Sequence, residues 1–326
     1  MAKEAPLVTI GIPTYNRSAY LSKAIESALK QTYYHLEILV IDNCSDDNTP
    51  YIVKKFKDKR LHYVCNDRNL GMTMNYNRVL ELFHGDYVNL LSDDDMLLSG
   101  FVKACLDIFQ RHPTLGLVTS PAIVYNLSGK ELWRYSIPGP EFLTPKQMWK
   151  HLVYMQNEIG TPSAVMLSRE AVKVTGYFDN SFPYLADYDY WIRVFNNFSI
   201  GYIQKHLVVN VRHFKQSSAL GFYNHALITR MKSITKGLDI PGCPLNRKEK
   251  LFCKLKEGEV FFWGVIKYFL SGRFKEAKRI LNNLSYYVPI AAQAAYCVIH
   301  FPIYAYRGLR RRLMVWIGKP FVMRRS

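Results

Sequence analysis

Four short apolar runs separated by stretches of helical periodicity occupy the first third of this 326-residue chain. The runs are Leu7–Ile12, Leu36–Ile41, Leu61–Cys65 and Asp86–Leu91. Between the first two, Leu21, Ala24, Ile25, Ala28 and Leu29 recur at helical spacing behind Ser18, a candidate N-cap. Thr49-Pro50 opens a second helix expected to reach about Lys57, and a third is expected from Met72 to Phe83. Strands alternating with helices predict an α/β fold, an open parallel sheet with helices on both faces. Ligands of such sheets bind beyond the carboxyl ends of the strands. That rule places Asp42 and the triplet Asp93-Asp94-Asp95 at one rim.

Adjacent carboxylates repel one another and resist burial, so three at the mouth of a strand call for a counter-charge. A divalent cation carrying a phosphate-bearing substrate meets that need; a solvated loop is the alternative. From about residue 116 the pattern changes. Strands are expected over Leu117–Tyr125, Ser163–Leu167 and His206–Val211, with helices over Pro145–Gln156 and Asp187–Asn197. These predict a mixed sheet that continues the same domain.

The net charge of +17 is unevenly distributed. Residues 246–326 hold 17 Lys/Arg against 4 Asp/Glu, so +13 of the excess lies in the last quarter of the chain. This asymmetry points to an anionic partner surface for the tail, either membrane or nucleic acid. Tyr286–Tyr306 contains no Lys, Arg, Asp or Glu and is followed by Arg307, Arg310, Arg311 and Arg312. Pro289, Gln293, His300 and Pro302 disfavour a membrane span there, and a segment lying in a membrane interface is expected instead. The six cysteines show no metal-binding spacing, and Met1–Pro6 has no leader character, so reduced thiols in the cytoplasm are expected. Two regions follow: 1–220, with halves meeting near residue 115, and a basic helical region 221–326. Gly242 and Pro244 mark a further break.

A set of motifs in fixed order carries a resemblance. Val8–Arg17, Ala24–Thr32, Glu37–Asp47, Asn69-Leu70-Gly71, Asn77, Leu91–Asp95, Gly176–Asp179 and Asp187–Trp191 together resemble a family 2 glycosyltransferase across roughly residues 7 to 215. The resemblance implies the type A glycosyltransferase (GT-A) fold and transfer of a sugar from a nucleotide-sugar, a UDP-sugar foremost, with inversion. It also implies Mn²⁺ or Mg²⁺ as cofactor and a glycan or lipid-linked acceptor.

By the same resemblance Pro13, Thr14, Tyr15, Asn16, Asp42, Arg68, Asn69, Asn77, Asp93 and Arg212 bind the nucleotide-sugar. Asp94, Asp95 and His213 hold the metal, and Asp187 is the general base. Gly160–Ser163 lines the acceptor side. Two positions depart from the family pattern: Ser92 stands where relatives often carry aspartate, and Ala186 stands where glutamate is usual. From the residues alone, Asp42 could instead cap the turn after its strand, and Asp187 could cap its helix.

A nucleotidyltransferase would share the architecture, but Pro13-Thr14-Tyr15-Asn16 stands where its glycine-rich loop belongs. No GxGxxG follows a strand, which disfavours a dinucleotide oxidoreductase. A basic nucleic-acid-binding protein is the non-enzyme rival. The aromatic tail favours anionic lipid over nucleic acid, so no nucleic-acid partner is expected, and placement at the inner face of the cell membrane is.

Overall fold

The computed structural model describes residues 5–135, 140–155, 159–182, 185–212 and 222–257, together with 272, 274, 275 and 278. The chain divides into two compact units, Met1–Leu245 and Asn246–Ser326. The first begins with β1 (Val8–Thr14), α1 (Ser18–Leu29), β2 (Leu36–Asp42), α2 (Thr49–Lys54), β3 (Leu61–Cys65), α3 (Met72–Leu82) and β4 (Tyr87–Leu90). β5 (Met96–Leu97), α4 (Phe101–Arg111), β6 (Leu115–Thr119), β7 (Ala122–Asn126), β8 (Glu131–Arg134), β9 (Phe142–Leu143) and α5 (Pro145–Met155) follow. It ends with β10 (Val165–Ser168), α6 (Arg169–Thr175), α7 (Ala186–Asn197), β11 (Ser199–Tyr202), β12 (Val208–Arg212) and α8 (Phe222–Asp239).

The larger sheet has eight strands in the order β3-β2-β1-β4-β10-β6-β11-β9. β1 runs parallel to both β2 and β4, and β10 is antiparallel to β4 and β6. The expected mixed α/β sheet, Rossmann-like in its first half, is therefore present. Every residue of β1 and β2 is buried, as central parallel strands covered on both faces require. α3 lies so close to β1 that a Cβ on Gly11 would stand 2.0 Å from Val79 Cγ1. Only glycine admits that approach.

Several local expectations change. The strand expected over Leu117–Tyr125 is two strands, β6 and β7, in different sheets. Ser120-Pro121 separates them, and a proline N cannot join a ladder. The second sheet has the order β5-β12-β7-β8. Ser18 is not the cap of α1 but its first residue, and its backbone N–H donates to Asp47 Oδ2 at 2.9 Å. α2 ends at Lys54, short of Lys57. α8 packs on α7, where Asn196 Nδ2 donates to the Gly237 carbonyl at 2.9 Å. In the second unit, residues 247–257 are helical, opened by a reciprocal cap between Asn246 and Glu249. Tyr286–Tyr306 lies outside the described residues, and among those described no helix is long and apolar enough to cross a membrane.

Candidate functional site

Parallel alignment of β1, β2 and β4 brings the loops after Thr14, Asp42 and Leu90 to one rim. Thr14 Oγ1 donates to Asp93 Oδ2 at 2.7 Å, joining the first loop to the acidic one. Arg17, at the entrance of α1, sets its Nη1 2.7 Å from Asp94 Oδ2 and its Nε 4.0 Å from Asp93 Oδ1. Asn16 sits between these residues with a φ of 52°, a left-handed turn that asparagine tolerates. Its N–H donates to Ser45 Oγ and its Oδ1 accepts from the Asp46 N–H, fastening this loop to the one after β2. Tyr15 projects beside them and is exposed; Pro13 is buried inside β1.

Asp95 turns inward. Its Oδ2 accepts from Ser163 Oγ at 2.6 Å and Asn210 Nδ2 at 2.7 Å, and its Oδ1 accepts from the Val211 N–H at 3.1 Å. Ser163 Oγ also accepts the Ser92 N–H at 3.0 Å. One buried hydroxyl thus holds both ends of the Ser92–Asp95 turn. Burial, reinforced by the Asp94 charge, pushes the Asp93 carboxyl up to about 7; the same causes raise Asp95. The triplet is therefore neither a solvated loop nor fully neutralised by Arg17.

Asp42 is fully buried. Its Oδ1 accepts from the Ser45 N–H and Oγ, and its Oδ2 accepts from Tyr63 Oη at 2.6 Å. Oδ1 thus makes the turn-capping arrangement that the residues alone left open, and Oδ2 is held across the sheet by Tyr63 on β3. Asn77 is likewise engaged away from the rim: its amide donates to the Phe178 carbonyl and accepts from the Phe178 N–H. Asn69, itself exposed, is joined to a buried amide network of Asn43, Asn66 and Asn75. Asn43 Nδ2 donates to Asn69 Oδ1 at 2.7 Å, Asn66 Nδ2 donates to Asn43 and Asn75, and Asn75 Nδ2 reaches the Ile41 carbonyl. That network fixes the ends of β1, β2 and β3. Arg68 stands exposed on the loop after β3.

Asp187 lies in the first turn of α7, a favourable place for a carboxylate. It is half-buried, and burial pushes it up to about 6 although the Tyr188 N–H donates to it at 2.8 Å. α7 is tied toward the acidic loop by stages. Trp191 Nε1 donates to the Gly160 carbonyl, and Thr161 and Ser163 contact Asn210 and Asp95. The nearby Asp189 is committed to Arg193 Nε at 2.8 Å. Arg212 ends β12 with its guanidinium 5.4 Å from the centre of the Trp133 ring. His213 lies outside the described residues.

Arg17, Asn210 and the asparagines 43, 66 and 75 are the site residues that sequence reasoning did not assign, and Ser163, expected to line the acceptor side, is instead fully buried against the Ser92–Asp95 turn. Arg17 had a signal, since it completes the motif after β1. Asn210 had another, as the polar residue inside the apolar run Val208–Val211.

Among the described residues, no group of three His, Cys, Asp or Glu side chains forms a ready metal cage. The chemistry of the triplet nonetheless fits a hard dication. Mg²⁺ and Mn²⁺ need only one or two carboxylates when substrate phosphates complete the shell. A cluster of three acids, two of them buried, beside one arginine also gains from further positive charge. Asp94 is the candidate ligand, whereas Asp93 and Asp95 position the turn that carries it. A cavity of about 260 Å³ lined by residues including Asp86, Thr114, Arg169 and Phe198 shares no residue with this cluster.

Comparison with known proteins follows the same lines. A profile described as glycosyl transferase family 2 matches residues 9–176. An uncharacterized glycosyltransferase of Rickettsia typhi is 28% identical over 220 residues, 66% of this chain and 66% of that protein. The putative colanic acid biosynthesis glycosyl transferase WcaA of Escherichia coli K12 is 30% identical over 195 residues, 59% of this chain and 67% of that protein. Among the first relatives the match spans between 31% and 66% of their own length. The structure of S. aureus TarS 1-349 in complex with UDP-GlcNAc superposes with a TM-score of 0.63 at 17% identity, covering 88% of this chain and 83% of that one. The mannosyltransferase PcManGT from Pyrobaculum calidifontis, in complex with GDP-Man and Mn²⁺, gives 0.55 at 17% identity over 94% and 82%. These likenesses establish the GT-A fold.

Proposed function

The chain belongs to glycosyl transferase family 2, and from that premise we propose that it moves a sugar, with inversion, from a nucleotide-diphospho-sugar to a hydroxyl of a glycan or lipid-linked acceptor. The observation that carries this is the rim cluster of Thr14, Arg17 and Asp93–Asp95, where a buried acidic turn meets the loop after β1. In that arrangement the Pro13–Asn16 loop receives the nucleoside, with Tyr15 exposed to stack on the base. Arg17 and Arg212 are the guanidinium groups suited to diphosphate oxygens. Asp94, with His213 as the further expected ligand, would hold Mn²⁺ or Mg²⁺; Asp95, expected as a third ligand, instead has both carboxylate oxygens engaged by Ser163, Asn210 and Val211. When bound, the ion would supply Lewis-acid stabilisation of charge on the departing nucleoside diphosphate.

Asp187 acts as the base. The acceptor hydroxyl oxygen attacks the anomeric carbon, its proton passes to the Asp187 carboxylate, and the bond to the diphosphate breaks with its electron pair leaving on phosphate oxygen. Direct displacement of this kind inverts the anomeric centre. A UDP-sugar is the favoured donor; the UDP-GlcNAc complex of TarS supports it, while the GDP-Man complex of PcManGT keeps GDP-sugars in the test. The likeness to a putative colanic acid biosynthesis enzyme supports an acceptor from surface polysaccharide or lipopolysaccharide assembly. Region 1–220 would be catalytic, and the basic region 221–326 would rest on the anionic inner face of the cell membrane.

Thermal-shift screening of nucleotides and nucleotide-sugars with Mn²⁺ tests the donor. A true donor at 100 times its dissociation constant adds about 2.7 kcal/mol of stability. Stabilisation by no nucleotide with or without Mn²⁺ contradicts the proposal.

A further inference from the structure

β8, the edge of the second sheet, and the residue that follows it carry an exposed aromatic pair, Trp133 and Tyr135, that donor binding does not explain. Trp133 is 41% exposed and Tyr135 47% exposed, their ring centres 6.4 Å apart and edge to face. Exposed tryptophan on a folded surface marks a binding face more often than chance, because the indole is large, rigid and only weakly polar.

Register decides which face this is. Trp133 is the ladder partner of Val124 on β7, and Val124 is the partner of Asn210 on β12. Residues paired across a ladder project to the same side, so Trp133, Val124 and Asn210 share one face. Asn210 on that face binds Asp95 at 2.7 Å and Thr161 at 3.3 Å. Arg212, two residues along β12, also lies on it, and its guanidinium crosses β7 to stand over the Trp133 ring at 5.4 Å. The aromatic pair is thus a lateral extension of the face that holds the acidic turn. The hairpin is anchored as well, since the Tyr135 N–H donates to the Ala122 carbonyl and the Tyr135 carbonyl contacts His206 Nε2 at 2.7 Å.

We propose that Trp133 and Tyr135 form an acceptor subsite, against which a sugar ring of the acceptor glycan docks one or more residues back from the reacting hydroxyl. A pyranose presents C–H bonds on one face and hydroxyls around its edge. The indole matches the first, and the Tyr135 hydroxyl at the same margin can hydrogen-bond the second. The aromatic pair occupies the open margin of the site face, and a polymeric acceptor extends along such a margin. This inference rests on the glycosyltransferase proposal and deepens it by naming where the acceptor chain lies.

The full chain is tested on an array of defined bacterial surface oligosaccharides, comparing wild type with Trp133→Ala and Trp133→Phe. The subsite predicts at least a tenfold loss of glycan binding for Trp133→Ala and retention of most of it by Trp133→Phe, which keeps a stacking ring. It also predicts a glycan-dependent shift of tryptophan emission that Trp133→Phe abolishes, a signal that a purely structural side chain would not carry. Wild-type protein that binds no glycan, or Trp133→Ala binding within twofold of wild type, overturns the subsite. Loss of binding to anionic phosphatidylglycerol vesicles with glycan binding retained also overturns it, and assigns the face to lipid. Thermal shift of the wild type by UDP-GlcNAc and by GDP-mannose is run in parallel. Failure of these and of every other nucleotide-sugar in the screen, with glycan binding intact, sinks the donor proposal and not the subsite.

Discussion

Replacing Ser163 with alanine removes one hydroxyl and disturbs two partners. Ser163 is fully buried; its Oγ donates to Asp95 Oδ2 at 2.6 Å and accepts the Ser92 N–H at 3.0 Å. A hydrogen bond to a charged group contributes about 1.5–3 kcal/mol, and a buried N–H left without a partner costs about 1–3 kcal/mol. Partial relaxation of the turn brings the expected destabilisation to about 3 kcal/mol. For a unit the size of residues 1–245 that corresponds to a fall in Tm of about 6–12 °C, since 1 kcal/mol moves such a domain by about 2–4 °C. Urea unfolding followed by circular dichroism measures it as a lower midpoint at unchanged slope. In an Asp95→Asn background the charge-assisted part is absent, and the cost of Ser163→Ala should drop to about 1 kcal/mol. A single-variant loss below about 0.5 kcal/mol, the usual range for surface changes, refutes the claim that Ser163 organises the acidic turn.

Asp187 must be ionised to accept a proton, and burial sets its carboxyl at about 6. Transfer should therefore rise with pH through about 6 and level off above it, and Asp187→Asn should abolish transfer at every pH while nucleotide-induced thermal shift persists. Gly237→Ala should destabilise by about 1–3 kcal/mol in thermal melts, because the new Cβ would stand 2.2 Å from Ile192 Cγ2 across the α7–α8 contact. Changing Arg310, Arg311 and Arg312 to glutamine should weaken sedimentation with anionic vesicles by about two orders of magnitude, at about 1 kcal/mol per charge.

β1 and β2 were legible because they are buried on both faces and read as short, largely apolar runs; β3, a partly exposed edge strand, was legible from its place between two helical stretches. β3 matches its expected run from Leu61 to Cys65. α4 was also visible in principle, since Phe101, Val102, Cys105, Ile108 and Phe109 fall at helical spacing and all are buried. β8 was not: all four of its residues are exposed, so no burial pattern marks it. At the site, the clustering of Asp93–Asp95 at a strand mouth followed from strand order alone. What each carboxylate does there did not. Asp42 and Asp95 look alike in sequence as candidate binding acids. Their oxygens are taken by Tyr63 and Ser45, and by Ser163, Asn210 and Val211. The partners of Asp95 lie between 68 and 116 residues away, beyond any local motif.

The most direct test is a crystal structure of the chain with Mn²⁺ and whichever nucleotide-sugar gives the largest thermal shift. The diphosphate is predicted beside Asp94 and Arg17, with the base against the Pro13–Asn16 loop. A donor bound elsewhere, for example in the cavity lined by Asp86, Thr114 and Arg169, with the Asp93–Asp95 turn untouched, would contradict the account.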